Sequence, residues 1–224
     1  MCYNKIGKKK SLKTGKSGGG NVAKGAAFYK KNNGYKQLKN MLAVRYGGDL
    51  ANRVYEFAGQ ELDRMYFEYT EVPANVQQHV YKYIFPRVAM YHGMKQEIGE
   101  DALPVLEEFI KATGEKMSKK LDRLISFPGM LGPAMKAFAS VSRNNFGKKS
   151  GFGQTFYEAS KDCVKFDITD CPYCKYCTLC GCKELIHTFC DSDIYMYGNL
   201  TKISFERTET LEKGKKCDFT FRRK

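Results

Sequence analysis

The chain has 224 residues, of which 42% are hydrophobic and 13% aromatic, too much apolar material for a wholly disordered polypeptide. No apolar run reaches the ~18 residues that a membrane-spanning helix needs, and no apolar stretch follows the basic N-terminus as it would in a secretion signal, so a cytoplasmic protein with no membrane partner is expected. The formal charge of +14 is concentrated at one end: the first 50 residues hold 12 Lys and Arg against a single acid, Asp49, and the remainder holds 26 against 23.

In chain order, residues 1–24 read as a disordered basic arm containing Gly18-Gly19-Gly20. Such an arm can hold phosphate, but no basic stripe interleaved with aromatics follows it, so a solvated tail is expected and nucleic acid is not an expected partner. The run Thr14-Gly15-Lys16-Ser17 fails as a phosphate loop because Lys10 stands where the motif needs its first glycine. Residues 25–224 are expected to form a single α+β domain, helical over 35–140 and cysteine-rich over 160–223. Val54, Phe57, Ala58, Met65 and Tyr69 recur at helical spacing after Asp49, a candidate N-cap. Val88, Tyr91, Met94 and Ile98 form a second stripe with Pro86 in its first turn. Leu106, Phe109 and Ile110 form a third, and Leu121, Leu124 and Ile125 a fourth, stopped by Pro128-Gly129. All four stripes are assigned to packing.

The period then changes. Val164, Phe166 and Ile168 alternate with Lys165, Asp167 and Thr169 as in a half-buried strand. Residues 184–198 read as a helix. The runs 203–207 and 217–221 read as a hairpin around Glu212-Lys213-Gly214-Lys215. Helices followed by strands predict a helical N-terminal part packed on a small antiparallel sheet that ends in this hairpin. No pattern in the chain specifies an oligomeric state.

Eight of the nine cysteines follow residue 160. Clustering in one segment, without a secretion signal, favours metal, cluster or catalytic chemistry over disulfide staples. Cys171, Cys174, Cys177 and Cys180 are spaced by successive C-x-x-C steps, as four thiolates around zinc or an iron–sulfur cluster would be; the alternative is a loop of reduced thiols. Cys190 and Asp193 share one helical face, and Cys182 and Glu184 lie near the helix start, where backbone N–H groups lower a thiol pKa. Cys190 also reads as a small buried hydrophobe, and His187 as a surface or packing residue. Arg207 shares the apolar side of its strand with Ile203 and Phe205, so its guanidinium needs a carboxylate. Asp218, Asp193 or Glu184 could supply one from within, or a substrate could.

The ordered motifs Cys171-Pro172-Tyr173, Gly181-Cys182-x-Glu184-Leu185, Phe189-Cys190-x-x-Asp193, Arg207-Thr208-x-Thr210-Leu211 and Gly214-x-x-Cys217-Asp218-Phe219-x-Phe221 resemble the L-2-amino-thiazoline-4-carboxylic acid hydrolase-like family, as does the helical stretch from Val88 to Leu106. The likeness covers roughly residues 50–222. The closing Gly-x-x-Cys-Asp-Phe is also similar to the end of 4-vinyl-reductase-type ligand-binding domains, which implies an α+β, sensor-like fold. Lys183 stands where a proline is usual, and Cys174, Cys177 and Cys180 are additions to the pattern.

The resemblance implies a hydrolase acting on C–N bonds of a small carboxylate-bearing ring: a cyclic isothiourea or amidine, L-2-amino-thiazoline-4-carboxylate-like, opened to a carbamoyl-cysteine. Cys190 is the expected nucleophile and Cys182 the second choice. Asp193 and Glu184 would act as carboxylate partners of the amidine, with Arg207, Tyr173 and Asp218 as substrate-binding residues. No histidine falls within the quoted motifs. The alternative is a non-enzymatic cysteine-rich module that binds a metal, an iron–sulfur cluster or a small ligand as a sensor.

Overall fold

A computed structural model describes residues 24–224 of the chain. The expectations of a disordered arm and of no phosphate loop concern residues 1–23, outside the described residues, apart from Lys24, which opens the first helix. The elements run α1 (Lys24–Lys31), α2 (Asn33–Tyr46), α3 (Gly48–Glu68), α4 (Gln77–His79), α5 (Phe85–Ile98), α6 (Ala102–Ile125), α7 (Leu131–Phe146), β1 (Gly153–Ala159), β2 (Cys163–Asp170), α8 (Pro172–Leu179), α9 (Ile186–Tyr197), β3 (Ile203–Glu206) and β4 (Cys217–Arg223). A π-helical turn, Val80–Ile84, joins α4 to α5. The architecture is α+β, as expected.

The apolar stripes decide the packing. Val54, Ala58, Leu62 and Met65 of α3 are buried against Val88, Ala89 and Met94 of α5. The two helices come close at Gly93, where an added Cβ would lie 2.7 Å from the Val54 carbonyl oxygen. Pro86 sits in the first turn of α5, as expected. Asp49 is not the N-cap of α3: Gly47 occupies that position and Asp49 lies in the first turn, where it still favours the positive end of the helix. The third and fourth stripes belong to one helix, α6: no proline separates Ile110 from Leu121, and the one glycine between them, Gly114, is buried against Tyr195 of α9.

The sheet has the order β1-β2-β4-β3 and is antiparallel throughout. β3 and β4 form the expected hairpin, with Phe205 opposite Phe221. β1 escaped the sequence reading. Its residues are mostly half-buried or exposed, as on an edge strand, and leave no clean alternation. Ile125 of α6 and Met135 and Ala139 of α7 cover the sheet, closing a second core with Val164, Phe166, Ile168, Cys217 and Phe221. Phe166 and Phe219 stack at 4.9 Å.

Tyr173 packs against both cores. Its hydroxyl donates to His79 Nδ1 (3.0 Å), and the opposite ring nitrogen donates to the Asn145 carbonyl at the end of α7 (2.9 Å). Burial holds His79 below its ordinary pKa, which keeps the ring neutral and the bridge intact.

Candidate functional site

The segment after β2 forms α8, a short 3-10 turn (Lys183–Leu185) and α9, all laid against the helical core. This arrangement divides the thiols into two settings. The eight described cysteines are all reduced. Cys171 and Cys174 are hydrogen-bonded to each other, which raises the first thiol and lowers the second. Cys177 and Cys180 are buried in the helical core, where desolvation raises the Cys177 thiol steeply. Among the described residues no three His, Cys, Asp or Glu side chains are placed to share a metal ion, so Cys171, Cys174, Cys177 and Cys180 do not assemble the expected four-thiolate site.

The first setting is built around Cys182, which is buried at the turn between α8 and α9. Its sulfur lies 3.0 Å from Nε2 of His92 on α5, and His92 Nδ1 lies 2.9 Å from Oε1 of Glu61 on α3. With Nδ1–H donating to the carboxylate, Nε2 is left to accept the thiol proton. Glu61 is itself held by Arg64, 2.6 Å away. Burial pushes the Glu61 carboxyl up, but the Arg64 guanidinium and the His92 ring outweigh it and hold the group at about 2. Glu184, two residues beyond Cys182, accepts a hydrogen bond from the Tyr91 hydroxyl (3.1 Å). A thiol, an imidazole and a carboxylate thus stand in hydrogen-bonding sequence, an arrangement that can activate a cysteine.

His92 and Glu61 are the members that sequence reasoning missed. Both signals were present. Glu61 stands on the buried face of α3 beside Ala58 and Leu62, where an acid is unexpected, and His92 lies among the buried Met90, Tyr91, Gly93 and Met94. Residues separated by 31 and 90 positions cannot be paired by spacing.

The second setting surrounds Cys190. Cys190 and Asp193 share the expected face of α9, and both meet Arg207: Nη1 lies 2.8 Å from the Cys190 carbonyl and 3.3 Å from Asp193 Oδ2, with Asp191 at 3.9 Å from Nη2. The Arg207 side chain is only 4% exposed, and the internal carboxylate that it requires is Asp193. Burial nevertheless raises the Asp193 carboxyl to about 7, against the pull of Arg207 and with a further push from Asp191. The Cys190 thiol donates to Cys217, which raises the pKa of the donor and lowers that of the acceptor. The Leu211 N–H (3.2 Å) and Arg207 support the Cys217 sulfur further.

Asp218 ties down the turn after β3, accepting from the Thr208 N–H and hydroxyl and the Glu209 N–H at 2.7–2.9 Å. Glu184 and Asp218 are therefore not partners of Arg207. His187 hydrogen-bonds to Glu107 on α6, in line with its packing assignment. The contacts of Cys182 and Glu184 go to α5, and those of Cys190 and Asp193 to Arg207, so these residues are held in two sets of contacts.

The model of one family, L-2-amino-thiazoline-4-carboxylic acid hydrolase, matches residues 77–221, well over half of the chain. The chain belongs to this family. The match spans both thiol settings and His92 but begins after Glu61. No curated protein and no solved structure matches the chain. Membership in the L-2-amino-thiazoline-4-carboxylic acid hydrolase family supports a hydrolase-like role, and among the described residues no helix is long and apolar enough to cross a membrane.

Proposed function

We propose that the chain opens a small carboxylate-bearing cyclic isothiourea or amidine of the L-2-amino-thiazoline-4-carboxylate type, with Cys182 as nucleophile, His92 as general base and Glu61 as the residue that orients His92. The observation that carries this reading is the continuous Cys182–His92–Glu61 contact chain. His92 takes the Cys182 proton as the sulfur adds to C2 of the ring, and Glu184 holds the protonated amidine that makes C2 electrophilic. A carbamoyl-cysteine keeps both nitrogens on C2, so the bond that breaks is C2–S and not the C–N bond that the resemblance implied; its sulfur leaves and takes the proton from His92. Water then adds to C2 with His92 as base, the Cys182 sulfur departs and regains its proton from His92, and the extra proton of the amidine passes to Glu184 as the new C=O forms. Beside the buried thiol, His92 and Glu184 both keep some exposed surface.

A second reading puts the nucleophile in the Cys190–Cys217 pair. It is favoured by the lowered Cys217 thiol beside Arg207, with Asp193, Tyr173 and Asp218 nearby in sequence or space.

One assay separates the two. Ring opening releases a thiol, which a chromogenic disulfide detects. Cys182→Ala and His92→Gln should each lower the rate by at least ~10², while Cys190→Ala and Cys217→Ala remain active. Full activity in Cys182→Ala with loss in Cys190→Ala or Cys217→Ala would transfer the reaction to the second setting.

A further inference from the structure

The cation that is left over is Arg87. It lies in the first turn of α5, half-buried, with its guanidinium 3.8 Å above the Phe189 ring and Nη1 3.3 Å from the Thr188 hydroxyl. Thr188 gives its own proton to the Leu185 carbonyl, so it acts toward Arg87 as an acceptor. No carboxylate meets Arg87 among the described residues, unlike Arg207, Arg64, Arg45 and Arg53. The groups whose charge it feels are Tyr35, Tyr173 and Cys177, and burial raises the pKa of all three, so none supplies an anion near neutral pH. No fully buried side-chain N or O atom among the described residues lacks a hydrogen-bond partner. The remaining Arg87 donors therefore face open space.

That space is a cleft of about 190 Å³ between α2, the π-helical turn, α5 and α6. Its apolar lining is Tyr35, Tyr83, Leu106, Phe109 and Ile110. Its charge is positive, from Arg87 and Lys82; the Gly34 and Tyr35 N–H groups at the start of α2 are already taken by the Asn32 side chain. No residue of the Cys182–His92–Glu61 chain lines it. A half-buried guanidinium without a counter-ion is costly, and a planar fork of donors matches a carboxylate in two-point fashion. The volume lies below the ~300 Å³ typical of drug-sized ligands.

We infer that this cleft is a second ligand site, which takes a small carboxylate with a flat, largely apolar body, the carboxylate on Arg87 and the body between Tyr35 and Phe109. The inference does not depend on the hydrolase reading, because the test is binding and not turnover.

Benzoate is the probe, benzamide its uncharged counterpart and inorganic phosphate the alternative anion. Each is titrated calorimetrically into the full chain at constant ionic strength. Benzoate should bind, with benzamide and phosphate each at least ~10-fold weaker, the factor that ~1.4 kcal/mol represents. Arg87→Met should weaken benzoate by a similar factor or more, and Arg87→Lys should restore part of it. Phe109→Trp fills the cleft while leaving Arg87 in place, so it should also abolish binding and keeps the test decisive if Arg87→Met fails to fold. Equal binding of benzoate and benzamide, tighter binding of phosphate, no benzoate binding at millimolar concentration, or unchanged affinity in Phe109→Trp would each overturn the proposal.

Discussion

Two thiol settings lie within one segment of this chain, and they differ in the cation beside the sulfur. Cys182 faces His92, a base that can take a proton and return it, backed by Glu61. Cys190 and Cys217 face Arg207, a guanidinium that stays protonated and is already engaged by Asp193 and the Cys190 carbonyl. The Cys217 thiol is lowered by its hydrogen bond from Cys190 and by Arg207, but only the first setting provides a proton shuttle. Proximity of charge to a cysteine therefore does not by itself make a nucleophile for hydrolysis, since each half-reaction also needs a proton moved.

Removing the orienting carboxylate should break the comparison most strongly. Glu61→Gln leaves the ring contact but lets His92 take the wrong tautomer, and should lower turnover by about 10²–10⁴, whereas Asp193→Asn in the other setting should leave turnover within about 3-fold. Steady-state rates on a thiazoline carboxylate check both values.

The next effect is on stability. Arg207→Leu leaves Asp193 and Asp191 facing each other without their cation, a loss of about 3 kcal/mol in urea unfolding. The double variant Arg207→Leu/Asp193→Leu should recover most of it, marking the second setting as a structural pair.

A smaller step tests the α3–α5 contact that brings Glu61 to His92. Gly93→Ala pushes a methyl group against the Val54 carbonyl and should cost about 1–3 kcal/mol. Turnover should fall with it if the Glu61–His92 distance is set by that close approach.

A last comparison is of pH dependence, and the two carboxyls give opposite signs. Glu61 is held at about 2 in the folded protein against an ordinary 4.5, so its stabilisation is complete above pH 4.5 and is lost as pH falls toward 2. Asp193 is raised from 3.8 to about 7, so its contribution is present below pH 3.8 and is lost as pH rises through 7. Unfolding free energies from pH 3 to 8 should show Glu61→Gln flattening the acid limb and Asp193→Asn the neutral limb.

Much of the fold was legible because periodicity is a local property. The stripes of α3, α5 and α6, the alternation in β2 and the β3–β4 hairpin each follow from residues a few positions apart, with side-chain direction fixed by the backbone repeat. α8 was hidden because its cysteine spacing reads equally as a ligand loop and as a helical turn, and β1 because an edge strand buries little. In the second setting, Cys190 and Asp193 were readable as one face of a helix, and Arg207 as a buried cation in need of an acid.

The sequence alone determined the stripes of α3, α5 and α6, the strand β2, the β3–β4 hairpin, the family and the residue types available for chemistry. Which sulfur meets which partner was decided only by tertiary structure. A hydrogen bond between α5 and the turn before α9 depends on how two apolar stripes pack across 90 residues of chain, and no local pattern encodes that distance. The same packing leaves Arg87 without an acid and sets Arg207 against one. Burial decides whether each charge is served from within the chain or is left for a ligand.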